Sequence, residues 1–392
     1  MSTLKKSLFL FFLSLLITSC SQQKKETSKT EVTVGTEKEK SFKGTPLKIA
    51  VIGLTHAHVH WVLGNNDAVE IIGIVEPNKD LARRLTKQYG YSMDIVYDSM
   101  EALYKNVKPE AVTAFNSIYE HLKVVEFFAP KGVHIMVEKP LAVSWEHAQK
   151  MEKIANQHKV HLLTNYETSW YGSNHKAYEL SIANQKIGAL QRMVFHHGHP
   201  GPIEIGCNQE FLDWLTDPKL NGGGAVVDFG CYGANLTTWF LQGQTPEKVT
   251  CITRQYKPEK YPKVDDDATI ILDYKDLQVI IQASWNWSHS RKDLELYGRT
   301  GYVICTDDKK LTVLENEKKG PFNLESTKLP HQINNPFTYL HGVVKENIPI
   351  NTFDLASLEN NLIVVQILEA AKQSAKTGKT IDWNHFFKTT TP

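Results

Sequence analysis

Val133-His134-Ile135-Met136-Val137-Glu138-Lys139-Pro140 reads as a buried strand that ends in charge. Apolar side chains run into a carboxylate, an ammonium and a proline, so the strand stops where its polar groups can serve a site. In open α/β sheets, ligands collect outside the carboxyl ends of the strands. A lysine there can have its pKa lowered by burial or by a neighbouring cation, and so exchange protons near neutrality. An ordinary solvated turn would use the same residues, and the pattern on either side decides between the two.

Leu47-Lys48-Ile49-Ala50-Val51-Ile52-Gly53 is a strand, and a helix starts over 57–63. The strand 69–75 ends at Glu76-Pro77 and is followed by a helix over 80–89, a short strand at 95–97 and a helix over 99–105. A strand at 111–115 and a helix over 120–129 lead into the opening stretch, and 161–164 adds one more strand. This alternation predicts right-handed βαβ units around a parallel sheet covered on both faces. The fold class read from this alternation is α/β, with one parallel-sheet domain over 46–165 and a second domain over 166–392.

A dinucleotide fingerprint places three glycines in the first turn. Here Gly53 fills the first position, but Thr55 and His58 stand at the other two. Glu76, at the end of the second strand, can bind the adenine ribose hydroxyls and would disfavour a 2′-phosphate, so NAD is expected ahead of NADP. His56, His58 and His60 raise the question of a metal. His-x-His at a helix start would point the rings to different sides and brings no carboxylate, so no metal is expected; one or two imidazoles should instead meet the cofactor or substrate.

At 392 residues, with 41% hydrophobic and 22% charged residues, the chain can bury a sizeable core. A net charge of +1 gives no reason to expect a nucleic-acid partner. Residues 1–20 read as an address: Lys5 and Lys6, an apolar run over 8–17, then Ile17-Thr18-Ser19-Cys20. They resemble a bacterial lipoprotein signal with Cys20 lipidated. Acyl chains on Cys20 would tether the protein to a membrane, with the folded part facing the periplasm or cell exterior. Residues 21–45 are polar and read as a flexible tether. Cys207, Cys231, Cys251 and Cys305 show no Cys-x-x-Cys spacing, and no disulfide pairing follows from them.

In the second domain a helix over 173–184 is expected with Ser173 as its cap, and strands at 191–197, 248–256, 268–274, 278–287, 293–297 and 301–306. Helices are expected over 225–241 and 355–375. On the first of these, Asp228 and Tyr232 share a face and Asn235 follows. An aspartate can orient a substrate hydroxyl and a phenol can donate to a developing alkoxide. Tyr166, Glu167 and Trp170 would suit a polyol, and His197, in the stretch 196–202, is a further candidate substrate contact.

Gly53, Glu76, His121, Glu138-Lys139-Pro140, Asn165-Tyr166 and the stretch Gly222-Gly223-Gly224-Ala225-Val226-Val227-Asp228-Phe229-Gly230-Cys231-Tyr232 together resemble the glucose-fructose oxidoreductase and inositol dehydrogenase (Gfo/Idh/MocA) family. The resemblance runs from about 47 to 383. It implies a Rossmann domain followed by a domain with a large, mostly antiparallel sheet that often builds oligomers, so a homo-oligomer is expected. It implies cofactor contacts from Gly53, Thr55, His56, His58, Glu76, Asn116, His121, Glu138 and Lys139, and catalysis by Lys139, Asp228 and Tyr232. The family often has His where Tyr232 stands and Asp where Asn235 stands, which leaves the general base open. The expected activity is NAD-dependent oxidation or reduction of a sugar or glycoside hydroxyl, with a tightly held, internally recycled cofactor. A redox-neutral glycoside hydrolase and a non-catalytic sugar-binding protein are the alternatives.

Overall fold

The computed structural model describes residues 44–390 apart from Asn65. The signal segment, Cys20 and nearly all of the tether lie outside the described residues. The first half is one parallel sheet of β1 (Leu47–Ile52), β2 (Val69–Val75), β3 (Val96–Tyr97), β4 (Ala111–Ala114), β5 (His134–Glu138) and β6 (Leu162–Asn165), in the order β3-β2-β1-β4-β5-β6. The order reverses between β1 and β4, and a doubly wound sheet opens its ligand crevice at that switch point. Both strands are almost wholly buried, as strands covered on two faces must be.

The helices of this half that cover the sheet are α1 (Val59–Leu63), α2 (Lys79–Tyr89), α3 (Met100–Asn106), α4 (His121–Phe128) and α5 (Trp145–His158). In α2 the apolar stripe Leu81, Ala82 and Leu85 is buried, Asn78 caps the amides of Asp80 and Leu81, and Gly90 ends the helix at φ 78°. The helix read over 57–63 begins only at Val59. The three residues before it form a turn, which matters for the histidines.

In the second half come α6 (Gly172–Tyr178), α7 (Gln209–Leu215), α8 (Ala225–Asp228) and α9 (Gly230–Phe240). Ser173 does not cap α6: the helix starts at Gly172, and the Ser173 hydroxyl donates to the Asp307 carbonyl at 2.6 Å. The helix read over 225–241 is broken at Phe229 into α8 and α9. The second sheet contains β7 (Leu190–Gly198), β8 (Lys248–Arg254), β9 (Asp267–Tyr274), β10 (Leu277–Ser284), β11 (Arg291–Gly298), β12 (Tyr302–Cys305), β13 (Lys310–Leu314), β14 (Phe322–Glu325) and β15 (Ile381–Asp382). Its order is β14-β13-β12-β11-β7-β10-β9-β8-β15, and only β7 and β10 run parallel.

The end of the chain serves both halves. From α10 (Pro336–Lys345), Phe337 and Leu340 pack with Leu47 and Val51 of β1. From α11 (Leu358–Thr377), Leu362 and Val365 join the core of the first sheet, while Val364, Ile367 and Leu368 join that of the second. A last helix, α12 (Trp383–Thr390), follows β15.

Candidate active site

Lys139 stands just past the end of β5, where the two sheets meet, and its peptide bond to Pro140 is cis. Its ammonium donates to the Asp228 carboxylate and, at 3.1 Å, to the Asp228 carbonyl. The other carboxylate oxygen accepts the Trp285 indole N–H at 2.9 Å. Lys139 is 5% exposed and Asp228 4%, so this is a buried ion pair.

Asp228 is held there by the glycine run. Asp265 accepts the amides of Gly224 (2.9 Å) and Val226 (2.7 Å) at the start of α8, and a Cβ on Gly224 would fall 1.8 Å from the Asp265 carbonyl oxygen. Glycine is required for that approach.

Burial alone would push the Lys139 pKa down, but the Asp228 carboxylate outweighs it and the pKa is raised. The expectation of a lowered lysine pKa is thereby corrected: the opposite charge in contact decides the sign. Burial likewise works to raise Asp228, and Lys139 outweighs it, holding the carboxyl below its usual range. Tyr232 is 1% exposed, and burial followed by the Glu167 charge pushes its phenol well above the usual value, so it keeps its proton. The Lys139 ammonium lies 5.2 Å from the Tyr232 ring centre and the Lys292 ammonium 5.3 Å.

Next to this pair is a cavity of about 390 Å³ lined by Glu167, Tyr171, His199, Phe229, Lys292 and Asp308, among others. Glu167 accepts from the Lys292 ammonium and the Tyr171 hydroxyl. Burial would raise its pKa, but Lys292 outweighs that and lowers it. His199 takes the Gly201 amide on Nδ1 at 2.9 Å, and burial brings its pKa down to about 4, so the neutral ring carries its proton on Nε2. Tyr171, His199, Trp285 and Lys292 were not singled out from the sequence. His199 lay within the stretch 196–202, but the ring facing the cavity is not that of His197.

On the other side of Lys139 is the first turn. Gly53 has φ 77°, and a Cβ there would meet the Asn116 Cβ at 2.7 Å. We expect Gly53→Ala to lower stability by about 1–3 kcal/mol, read by denaturant unfolding, through positive φ and the clash together. Glu76 accepts from the amides of Leu54 (2.9 Å) and Asn78 (2.8 Å), and burial still raises its pKa. Both residues line a cleft of about 200 Å³ with Thr55 and Asn116.

The histidines differ from expectation. His58 Nδ1 donates to Glu138 Oε2 at 2.9 Å, and His56 Nε2 lies 4.0 Å from the same oxygen. Both rings meet one carboxylate because they sit in a turn before α1, where helical spacing does not apply. His56, His58 and Glu138 thus form a donor set of a kind that divalent metals use. His56 Nδ1, however, accepts the His58 amide at 3.0 Å, which puts the proton of the neutral ring on Nε2, facing Glu138. The second oxygen of Glu138 accepts from the Asn165 amide at 2.6 Å. Phe211 and Trp214 of α7 cover His56, with ring centres 5.1 and 5.7 Å away, and the Trp214 indole donates to Thr55 Oγ1 at 3.1 Å. His121 donates from Nδ1 to the Leu141 carbonyl at 3.1 Å, and its buried Nε2 has no partner.

Four residues expected at the substrate are placed elsewhere. Tyr166 is fully buried with its ring 5.5 Å from that of Tyr232. His197 is fully buried between Phe195 and Tyr232, and neither ring nitrogen has a partner. Asn235, also fully buried, donates to the Leu355 carbonyl at 2.8 Å and secures the approach to α11. Trp170 donates to Asn165 Oδ1 at 2.9 Å and lines a different cavity.

Residues 47–166 match the model of the oxidoreductase family with an NAD-binding Rossmann fold, and 176–304 match the GFO/IDH/MocA C-terminal domain. Trans-1,2-dihydrobenzene-1,2-diol dehydrogenase of Homo sapiens is 25% identical over 228 residues, 58% of this chain and 64% of that enzyme. D-glucoside 3-dehydrogenase of Escherichia coli is 24% identical over 207 residues, 50% of this chain and 54% of that enzyme. Among solved structures, the aldose-aldose oxidoreductase of Caulobacter crescentus complexed with glycerol superposes with a TM-score of 0.71 at 17% identity, covering 86% of this chain and 100% of that one. The inositol dehydrogenase homolog of Azotobacter vinelandii complexed with NAD+ gives 0.72 at 17%, covering 86% and 97%. With both halves matched in order along one chain, this protein belongs to the GFO/IDH/MocA oxidoreductase family.

Proposed function

We propose that the protein is an NAD-dependent oxidoreductase acting on a hydroxyl of a sugar or glycoside. The observation that carries this reading is the buried Lys139–Asp228 pair beside Tyr232, between the Rossmann crevice and the cavity of Glu167 and Lys292. The names of the D-glucoside and D-xylose dehydrogenases among the relatives support the substrate class.

The cleft residues fit NAD. Glu76 sits at the end of β2, and Asn116 Oδ1 is buried without a partner, ready for a donor. Asp98, Glu101 and Glu120 also line the cleft, against one lysine, Lys123, which suits a ribose diol better than a 2′-phosphate. When bound there, NAD would supply the hydride acceptor or donor. Asp228 would accept the hydrogen bond of the substrate hydroxyl and fix its orientation. The Lys139 ammonium and Tyr232 phenol would donate to the oxygen when it is an alkoxide or carbonyl. Glu167 and Lys292, an acceptor and a donor, would hold other hydroxyls of a polyol.

Lipidation at Cys20 would hold the enzyme on a bacterial membrane facing the periplasm or exterior, and the second sheet would support a homo-oligomer. Free NAD would be scarce there, so the cofactor would stay bound and be recycled in place. Native mass spectrometry of the purified full-length protein, without added nucleotide, should show one NAD per chain. A bare chain that also fails to take up NAD would overturn the reading. Release of a chromogenic aglycone without net NADH would turn it into a redox-neutral glycosidase.

A further inference from the structure

A second cavity, of about 430 Å³, is lined by Trp170, Trp239, Tyr339, His175, Asp354 and Gln332, among others, and shares no lining residue with the first. Its volume is that of a small-molecule site. No lysine or arginine lines it, and Asp354 is the one carboxylate. An anionic ligand would find no counter-charge there and would face the Asp354 carboxylate. The Trp170 and Tyr339 ring centres are 5.6 Å apart at 53°, so they form a corner rather than a closed stack. Trp239 stacks on Tyr178 at 4.5 Å, which fixes it as a rigid wall. His175 is tied to the Ser169 carbonyl at 2.9 Å, and burial lowers its pKa, so it brings no positive charge.

Aromatic faces for the C–H side of a pyranose, with one carboxylate and side-chain amides for its hydroxyls, are the chemistry of a neutral saccharide. We propose that this cavity is a second saccharide-binding site, for a neutral pyranoside, separate from the reaction cavity.

The two cavities are joined by the single turn Glu167–Trp170, with Glu167 in the reaction cavity and Trp170 in the second. Trp170 is also linked to the residue before Lys139, through Asn165 Oδ1 at 2.9 Å and the Asn165 bond to Glu138 at 2.6 Å. A saccharide on Trp170 would therefore bear on both the Glu167 and Glu138 positions.

The test uses full-length protein carrying Glu167→Gln to weaken the reaction cavity. Saturation-transfer NMR would follow methyl glycosides of glucose, galactose and mannose, with choline and glucose 6-phosphate as cationic and anionic controls. At least one glycoside should bind ahead of both controls. Adding Ile333→Trp, which fills the cavity from its rim, or Asp354→Asn should weaken it at least tenfold, with folding checked by thermal melting. Absence of glycoside binding, binding that neither change affects, or a preference for either control would overturn the proposal. NAD content of the Ile333→Trp protein, measured separately by native mass spectrometry, keeps this outcome distinct from the redox reading.

Discussion

Lys139→Met should abolish turnover and also lower the stability of the fold by about 3–5 kcal/mol, the cost of stranding one partner of a buried ion pair. Methionine keeps the length and apolar character of the lysine stem but leaves Asp228, at 4% exposed, with only the Trp285 N–H and no counter-charge. Asp228→Asn alone strands the ammonium and should cost a similar amount. The double variant removes both charges, so most of the stability should return while turnover stays lost. Denaturant unfolding of the four proteins measures the coupling, and single-turnover assays measure the chemistry. Losses that simply add would mean that the two side chains do not meet as described. Retained turnover in Lys139→Met would remove Lys139 from the mechanism.

The first half of the fold was legible because a parallel sheet buried on both faces needs near-continuous apolar runs. Leu47–Ile52 and Ala111–Ala114 are such runs. Gly53, Glu76 and Lys139 were legible for a related reason: each stands at the carboxyl end of a strand, where the topology puts ligands. The partners of the site were not. Lys139 and Asp228 are 89 positions apart and Lys292 and Glu167 125, and periodicity carries no information about such pairs. Local spacing misled at the histidine turn. Helical geometry was applied to His56 and His58, which precede α1; it was applied also to Asp228 and Tyr232, which both meet Lys139 although the helix breaks at Phe229 between them. Asn235 was read from its place after Tyr232 on the helix and His197 from a histidine-bearing stretch after a strand, but sequence does not show whether a polar side chain faces a cavity or serves the core. The short strands β13, β14 and β15 escaped because two to five residues show too little alternation to stand out.

Oxidation of the sugar should rise with pH from neutral into the alkaline range, while the reverse reduction should stay level there and fall only as pH passes the raised Lys139 pKa. The resting site is arranged to donate protons. Lys139 is held as an ammonium by Asp228, Tyr232 is held as a phenol, and the neutral His199 ring presents an N–H. Reduction needs a donor at the carbonyl oxygen and uses this state as it stands. Oxidation needs a base for the hydroxyl proton, which Lys139 becomes only after deprotonation. Because its pKa is raised, that form is scarce at neutral pH and keeps growing with pH until the raised pKa is passed. Asp228→Asn removes the charge that opposes burial, so the sign of the shift reverses and the limb should move toward lower pH by about 1–3 units, the usual effect of one adjacent opposite charge. Tyr232→Phe should lower the rate without moving the limb, since burial and the Glu167 charge hold its phenol protonated. The pH profiles of kcat/KM for the three proteins distinguish the two groups. A limb that disappears with Tyr232→Phe and stays in place with Asp228→Asn would make the phenol, not the lysine, the group that titrates. A limb that moves only with Asp228→Asn would leave Lys139 as the proton-transfer group whose charge Asp228 sets.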